Sequence, residues 1–262
     1  MKKTTLLSAL AVAILPFSCA KEDGGKACET VPVVFSASGT GLRAEVKSQA
    51  GRLESFYVSA VPGDASTPDW TNERFSGNDS YTGRIYWPEE DPSYSFFASS
   101  FPLSEDPSGI VLRLGNSMQE DVVCAYLPRS SVVFREENEL HFEHILCRAG
   151  GMPSVSLEPG CVLEELGISF RPDTAGVYNI AGRTWAETVA VAAAKDWKED
   201  LLFIPGSYPM EIRWTVSAGG VRKSYRKTTP AVDFVAGTSI NLSLTLGMSA
   251  GQLSCSLKTE EK

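Results

Sequence analysis

From residue 30 onward the chain alternates short apolar or aromatic runs with clusters of turn residues. "VPVVFSAS" opens the series at a proline. "RLESFYVSAV", "GRIYW", "SYSFFASS", "GIVLRL", "EDVVCAYL", "SSVVF" and "ELHFEHILCRAG" follow, and later "LEELGISFRP", "GVYNIAG", "LLFIPGSYPMEIRWTV", "GVRKSYRKTT", "TSINLSLTL" and "QLSCSLK". Aromatic and β-branched residues favour a half-buried pleated surface, so these runs predict strands. Period-two alternation is clearest near the end of the chain. Ile212, Trp214 and Val216 alternate with Arg213 and Thr215, and Gly219-Gly220 supplies a hairpin turn. Ile240, Leu242, Leu244 and Leu246 share one face of a second alternating run. Many short strands with frequent turn signals predict sandwiches rather than βαβ units. One segment, "WAETVAVAAAKDWKEDLL", reads two ways: its alanines permit a helix, and "TVAVAAAK" suits a strand equally.

Before residue 30 the pattern changes. Met1, Lys2 and Lys3 precede "TTLLSALAVAILPF", an apolar run too short for the roughly 20 residues that cross a bilayer. It fits the apolar region of a secretory signal peptide. Two cleavage readings are open. Cutting before Cys19 leaves a thiol that carries lipid, with residues 1–18 as the signal and 19–29, "CAKEDGGKACE", as a polar tether. Cutting after Ala20 uses Ser18 and Ala20 as the small residues of an ordinary site and discards the cysteine.

Length and charge narrow the function. The 262 residues suffice for two modest domains or one large β domain, and a charged break, "REENE", marks a boundary between Phe134 and Leu140. The expected domains are therefore residues 30–137 and 138–262. Net charge is −8, and −10 once Lys2 and Lys3 are lost. Such a chain does not offer nucleic acid the basic face its phosphates require. The six cysteines have irregular spacing and read mostly as buried small hydrophobes, with a Cys147–Cys161 disulfide left open.

No motif carries catalysis or a cofactor. "GTGLRA" has dinucleotide-loop spacing, but a polar linker follows it instead of a helix. "HFEH" holds both histidines, yet strand alternation sends His141 and His144 to opposite faces, which disfavours a shared metal and leaves His144 as a hydrogen-bonded residue at a sheet margin. "PEEDP" lacks the spaced ligands and glycine of a calcium loop. Trp70, Trp87 and Trp197 read either as core or as platforms for sugar rings.

Several segments in order resemble the fimbrillin family of Bacteroidetes, the subunits and anchors of type V pili. "IYWPEEDPSYSFFASSFP" resembles that family's aromatic strand pair. "EDVVCAYL" resembles the strand after it, and "LHFEHILCRAG" the Phe-x-His strand that opens the second half. "LLFIPGSYPMEIRWTV" is similar to its Leu-x-x-Pro segment, and "FVAGTSINLSLTL" to its Phe-x-x-Gly and final long strand. "KED" after Cys19 resembles the acidic export signals of surface lipoproteins in such bacteria. The C-terminal "GMSAGQLSCSLKTEEK" lacks the tryptophan many members carry there.

The resemblance implies an all-β chain of two transthyretin-like Greek-key β-sandwich domains in tandem, delivered to the outer membrane by lipid on Cys19. It implies a fimbrial subunit, anchor or tip protein whose partners are other pilus subunits, joined by donor-strand exchange, together with a host or bacterial surface receptor. Arg43, in the polar loop "SGTGLRAEVKSQAG", is the expected processing site, since cutting there frees one strand and the lipid; Lys47 and Arg52 are alternatives, and a plain solvated arginine is the other reading. Thr174 in "PDTAG" fits the Asp-Thr-small pattern that such bacteria O-glycosylate, or else is a plain turn residue. The alternative function is a surface lipoprotein of the same fold that binds a glycan or host protein without polymerising.

Overall fold

The structure, a computed structural model, describes residues 30–39, 53–63, 65, 67–106, 109–115, 120–248 and 253–261. Among these the chain is all-β, apart from one 3-10 turn at Arg129–Ser131. The ambiguous segment resolves as the strand Thr184–Ala190, paired with Asp173–Asn179 through the hairpin turn that precedes it. The β-branched Thr188 and Val189 suit that pairing better than a helix.

Seven strands close a barrel in the order Pro32–Gly39, Ser80–Tyr86, Trp70–Gly77, Ser55–Val61, Ser95–Ser99, Val123–Leu127 and Glu137–His144. The last returns to the first and pairs with it in parallel. Val33, Phe35, Phe56, Phe75, Phe96, Leu140 and Phe142 fill the interior. Phe35 is central to it, with the rings of Phe75 and Phe96 both 5.0 Å away and edge-on. Such pairs add to the burial of their large apolar surfaces.

The second half stacks two sheets over one core. One holds Ser154–Leu157, Thr238–Leu246, Cys147–Ala149 and Leu202–Phe203, with Leu253–Glu261 added along Thr238–Leu246. The other holds Lys195–Asp196, Val162–Phe170, Met210–Ala218 and Val221–Thr228. Phe170, Met210, Ile212 and Trp214 meet Phe203, Ile240, Leu242 and Leu244 between them. The alternation of Ile212, Trp214 and Val216, and of Ile240 through Leu246, is therefore the core face of each sheet, as the two-residue period requires.

The expected boundary at 137–138 needs correction. Glu137–His144 is wholly a barrel strand, with Asn138, Leu140, Phe142 and His144 buried and Glu137, Glu139 and His141 exposed. "REENE" begins in the turn at 134–136 and runs on into that strand. It is tied by buried Asn138, whose side chain accepts from the Val133 N–H at 2.8 Å and donates to the Val133 and Glu136 carbonyls, each at 3.0 Å. The change of sheet comes at residues 145–146. A further sheet joins strands from both sides of that point: Gly109–Leu114 pairs with Asp173–Asn179, Leu114 opposite Gly176 and Val111 opposite Asn179. Leu112, Val122, Cys124, Ile145, Tyr178 and Ile204 form the core beneath it. Charge marked a turn, whereas the junction itself is apolar and carried no signal of a boundary.

Candidate assembly site

Pro32–Gly39 lies in a slot between two strands that are distant in sequence. Ser80–Tyr86 runs antiparallel on one side, with Tyr81 opposite Phe35 and Ser80 opposite Ser36. Glu137–His144 runs parallel on the other, from Glu137 opposite Val34 to Phe142 opposite Gly39. Both flanking strands depend on it for a row of backbone partners. Without it each would present an open edge, the geometry that recruits another strand.

Side chains key the strand into the slot. Val33 and Phe35 point inward and are fully buried, while Val34, Ser36 and Ser38 stay partly exposed. At its entry the Trp87 N–H donates to the Val31 carbonyl at 2.8 Å. At its exit a Cβ on Gly39 would fall 2.2 Å from the Phe142 carbonyl oxygen, so only glycine permits the approach. On the outer surface Ser80 Oγ donates to Glu137 Oε1 at 3.0 Å, spanning the strand between them. Ser38 Oγ lies 3.2 Å from His141 Nδ1.

The strand Leu253–Glu261 is seated differently. It pairs on one side only, antiparallel to Thr238–Leu246, from Leu246 opposite Leu253 to Thr238 opposite Glu261. Leu253 and Cys255 are half-buried against the second core. Its outer edge is unpaired among the described strands.

At the end of the barrel strand Glu137–His144 lies a buried histidine–aspartate contact. His144 Nδ1 stands 2.8 Å from Asp121 Oδ2, with side chains only 4% and 1% exposed. The carboxylate lies off the ring N–H axis, so the contact is not a linear hydrogen bond. Asp121 Oδ1 also accepts from the Val122 N–H at 2.9 Å. The expected split of the histidines holds: His141 is exposed, and His144 is buried at the strand's end. Asp121 was invisible in the sequence, one acid at the start of an apolar run.

No group of three His, Cys, Asp or Glu residues could hold a metal among the described residues. Burial pushes the Cys124 thiol up to about 12, which leaves it protonated and unreactive. Tyr94 is pushed up by burial and by its hydrogen bond to Asp69, and it supports the barrel core. No helix among the described residues is long and apolar enough to cross a membrane.

Cys19, Arg43, Lys47 and Arg52 lie outside the described residues. Thr174 lies in the strand Asp173–Asn179 and is 7% exposed. It is a strand residue and not a turn residue. Cys124, Cys147, Cys161 and Cys255 are all free, so Cys147 and Cys161 form no disulfide. Trp87 and Trp197 are buried, and Trp70 packs against the ring of Tyr94 at 4.9 Å. Trp87 and Trp197 thus belong to the cores, and Trp70 is partly buried against one of them. Within "PEEDP", Asp91 accepts from the Ser93 N–H, and Arg135 donates to the Pro88 and Glu89 carbonyls.

No family model and no curated protein matches the chain. Solved structures do share its fold. A fimbrial protein from Bacteroides vulgatus superposes with a TM-score of 0.56 at 13% identity, over 87% of this chain and 99% of its own. A candidate cell adhesion protein from Parabacteroides distasonis gives 0.54 at 8% identity, over 89% and 99%. One from Bacteroides uniformis gives 0.51 at 19% identity, over 88% and 98%. The all-β fold expected from the fimbrillin resemblance is thus the fold of structures named for fimbriae and adhesion.

Proposed function

We propose that this chain is a non-enzymatic, lipid-anchored surface protein of fimbrial type, a subunit, anchor or tip, whose first strand is its means of assembly. The seat of Pro32–Gly39 carries this reading. It is one short strand, keyed by two fully buried side chains, whose departure would expose two backbone edges at once. In this reading Cys19 holds the precursor at the outer membrane. Cleavage after Arg43 releases residues 19–43 with lipid and strand, and a neighbour's strand refills the slot. Leu253–Glu261 is the segment suited to be donated. It is tied on one side only, and Leu253, Cys255 and Leu257 repeat at the two-residue spacing of Val33 and Phe35.

Digestion of the full chain with an arginine-specific protease tests the reading. The expected result is cleavage after Arg43, loss of residues 19–43 and growth of oligomers in size-exclusion chromatography. A cut chain that stays monomeric overturns it. That outcome favours the second reading, a surface lipoprotein that keeps its first strand and binds a glycan or host protein. The closed barrel, complete with its own strand in place, supports that alternative. Lipidation is tested separately: Cys19→Ala should move the precursor from the membrane to the soluble fraction.

A further inference from the structure

On the outer face of the sheet formed by Val162–Phe170, Met210–Ala218 and Val221–Thr228, a concavity of about 550 Å3 opens between two cross-strand rows. The first row is Gly167, Arg213 and Arg226, in register across the three strands; the next is Glu165, Thr215 and Ser224. Gly167 creates the space, since a Cβ there would meet nothing within 4 Å. Glu211 fixes the two arginines. Its Oε1 accepts from Arg213 Nε and Nη2, each at 2.5 Å, and its Oε2 accepts from Arg226 Nη2. Arg226 also holds the Glu211 carboxyl below its ordinary range, so the trio stays charged. Two guanidiniums against one carboxylate leave a net positive end. Arg213 Nη1 and Arg226 Nε and Nη1 keep N–H groups without partners among the described residues. The other end carries hydroxyls and the Glu165 carboxylate, whose Oε1 also accepts from Arg222 Nη2 at 3.1 Å. Thr215 Oγ1 donates to Glu165 Oε2 at 3.1 Å and lies 2.9 Å from Ser224 Oγ.

We propose that this concavity binds a carboxylate-bearing saccharide of the uronic acid class, its carboxylate on Arg213 and Arg226 and its ring hydroxyls on Glu165, Thr215 and Ser224. Guanidinium N–H groups match a carboxylate's geometry, and fixed side chains lose little freedom on binding. The volume lies within the usual range for small-molecule sites. The charges of an edge hairpin also keep it from pairing with other chains. That role alone predicts neither a gap at Gly167 nor any choice among ligands. The inference stands whether or not the chain polymerises.

The test is saturation-transfer NMR on the purified full chain with sodium glucuronate, glucose and acetate as probes. Glucose keeps the ring and lacks the carboxylate; acetate keeps the carboxylate and lacks the ring. The expected result is binding of glucuronate, with glucose and acetate each at least about tenfold weaker. Gly167→Val fills the space at a strand position that accepts a β-branched residue, and Arg226→Ala removes one guanidinium. Each should weaken glucuronate about tenfold or more, while thermal unfolding shows the fold intact. Failure to bind glucuronate, equal binding of glucose or acetate, or indifference to both substitutions overturns the proposal. A variant that unfolds is replaced by Arg213→Ala, read against the same outcomes.

Discussion

Ser80 and Glu137 face each other across a strand that belongs to neither, and the hydroxyl donates to the carboxylate at 3.0 Å. Both side chains are exposed, so the bond is a surface clasp over Pro32–Gly39 rather than part of the core. Exposed polar pairs contribute little, about 0–1 kcal/mol. Glu137→Ala should therefore lower stability by no more than about 1 kcal/mol in urea unfolding. Phe35→Ala, which empties the centre of the barrel, should cost about 3–5 kcal/mol. Equal losses for the two would show that the strand is held from outside and not by its buried ring.

Asp121 and His144 make the opposite case. Both are nearly fully buried, so removing one strands the other. Asp121→Ala should cost about 3–5 kcal/mol, and the double variant with His144→Ala should recover part of that loss. Additive losses in a double-mutant cycle would mean the two side chains do not act as a pair.

The thiols should react in order of burial. Cys124 and Cys147 are buried, whereas Cys161 and Cys255 are partly exposed. Only the thiolate reacts, and burial holds Cys124 protonated up to about 12. In native protein at pH 8, iodoacetamide should therefore modify Cys161 first, Cys255 more slowly, and Cys124 only after unfolding. The same shift has a stability consequence. Cys124 ionises near 9 when unfolded and near 12 when folded, so its contribution is complete below 9 and is lost as pH rises toward 12. Rapid labelling of Cys124 at pH 8, read by peptide mass spectrometry, would show that the barrel opens locally.

Much of the fold was legible because the two-residue period reports burial directly. Ile212, Trp214 and Val216, and Leu140 and Phe142, are inward where alternation put them. What escaped was the pairing of strands far apart in sequence. Nothing in "VPVVFSAS" says that it will lie parallel to "ELHFEH", and nothing in "GIVLRL" says that it will pair with "GVYN". Local residue choice sets a strand's face, while its partner is set by the whole chain's packing. The charged "REENE" misled for that reason: it marked a turn truly and a boundary falsely. The first strand, proposed here as the means of assembly, is legible from its position after the polar tether. The Ser80–Glu137 clasp, the Asp121–His144 contact and the arginine concavity each join residues that no spacing connects.

Gly39 offers the sharpest probe of the first strand. It sits opposite Phe142 at the end of the parallel ladder, and a Cβ would come within 2.2 Å of that residue's carbonyl oxygen. The neighbour is backbone, in a strand paired on its other side to Val123–Leu127, so it cannot move aside cheaply. Gly39→Val should therefore break the last rungs of the ladder and leave Val33 and Phe35 to hold the strand alone. The expected cost is about 1–3 kcal/mol, less than the loss of Phe35, because the buried ring is untouched. Local opening should precede global unfolding, since strand ends open most easily. Amide exchange should accelerate at residues 36–39 and in the facing part of Glu137–His144, with the second core unchanged. If the slot accepts exchanged strands, the same variant should assemble faster after Arg43 is cut. Unchanged exchange at residues 36–39 would mean that the backbone there relaxes enough to admit a side chain, and that glycine is not what seats the strand.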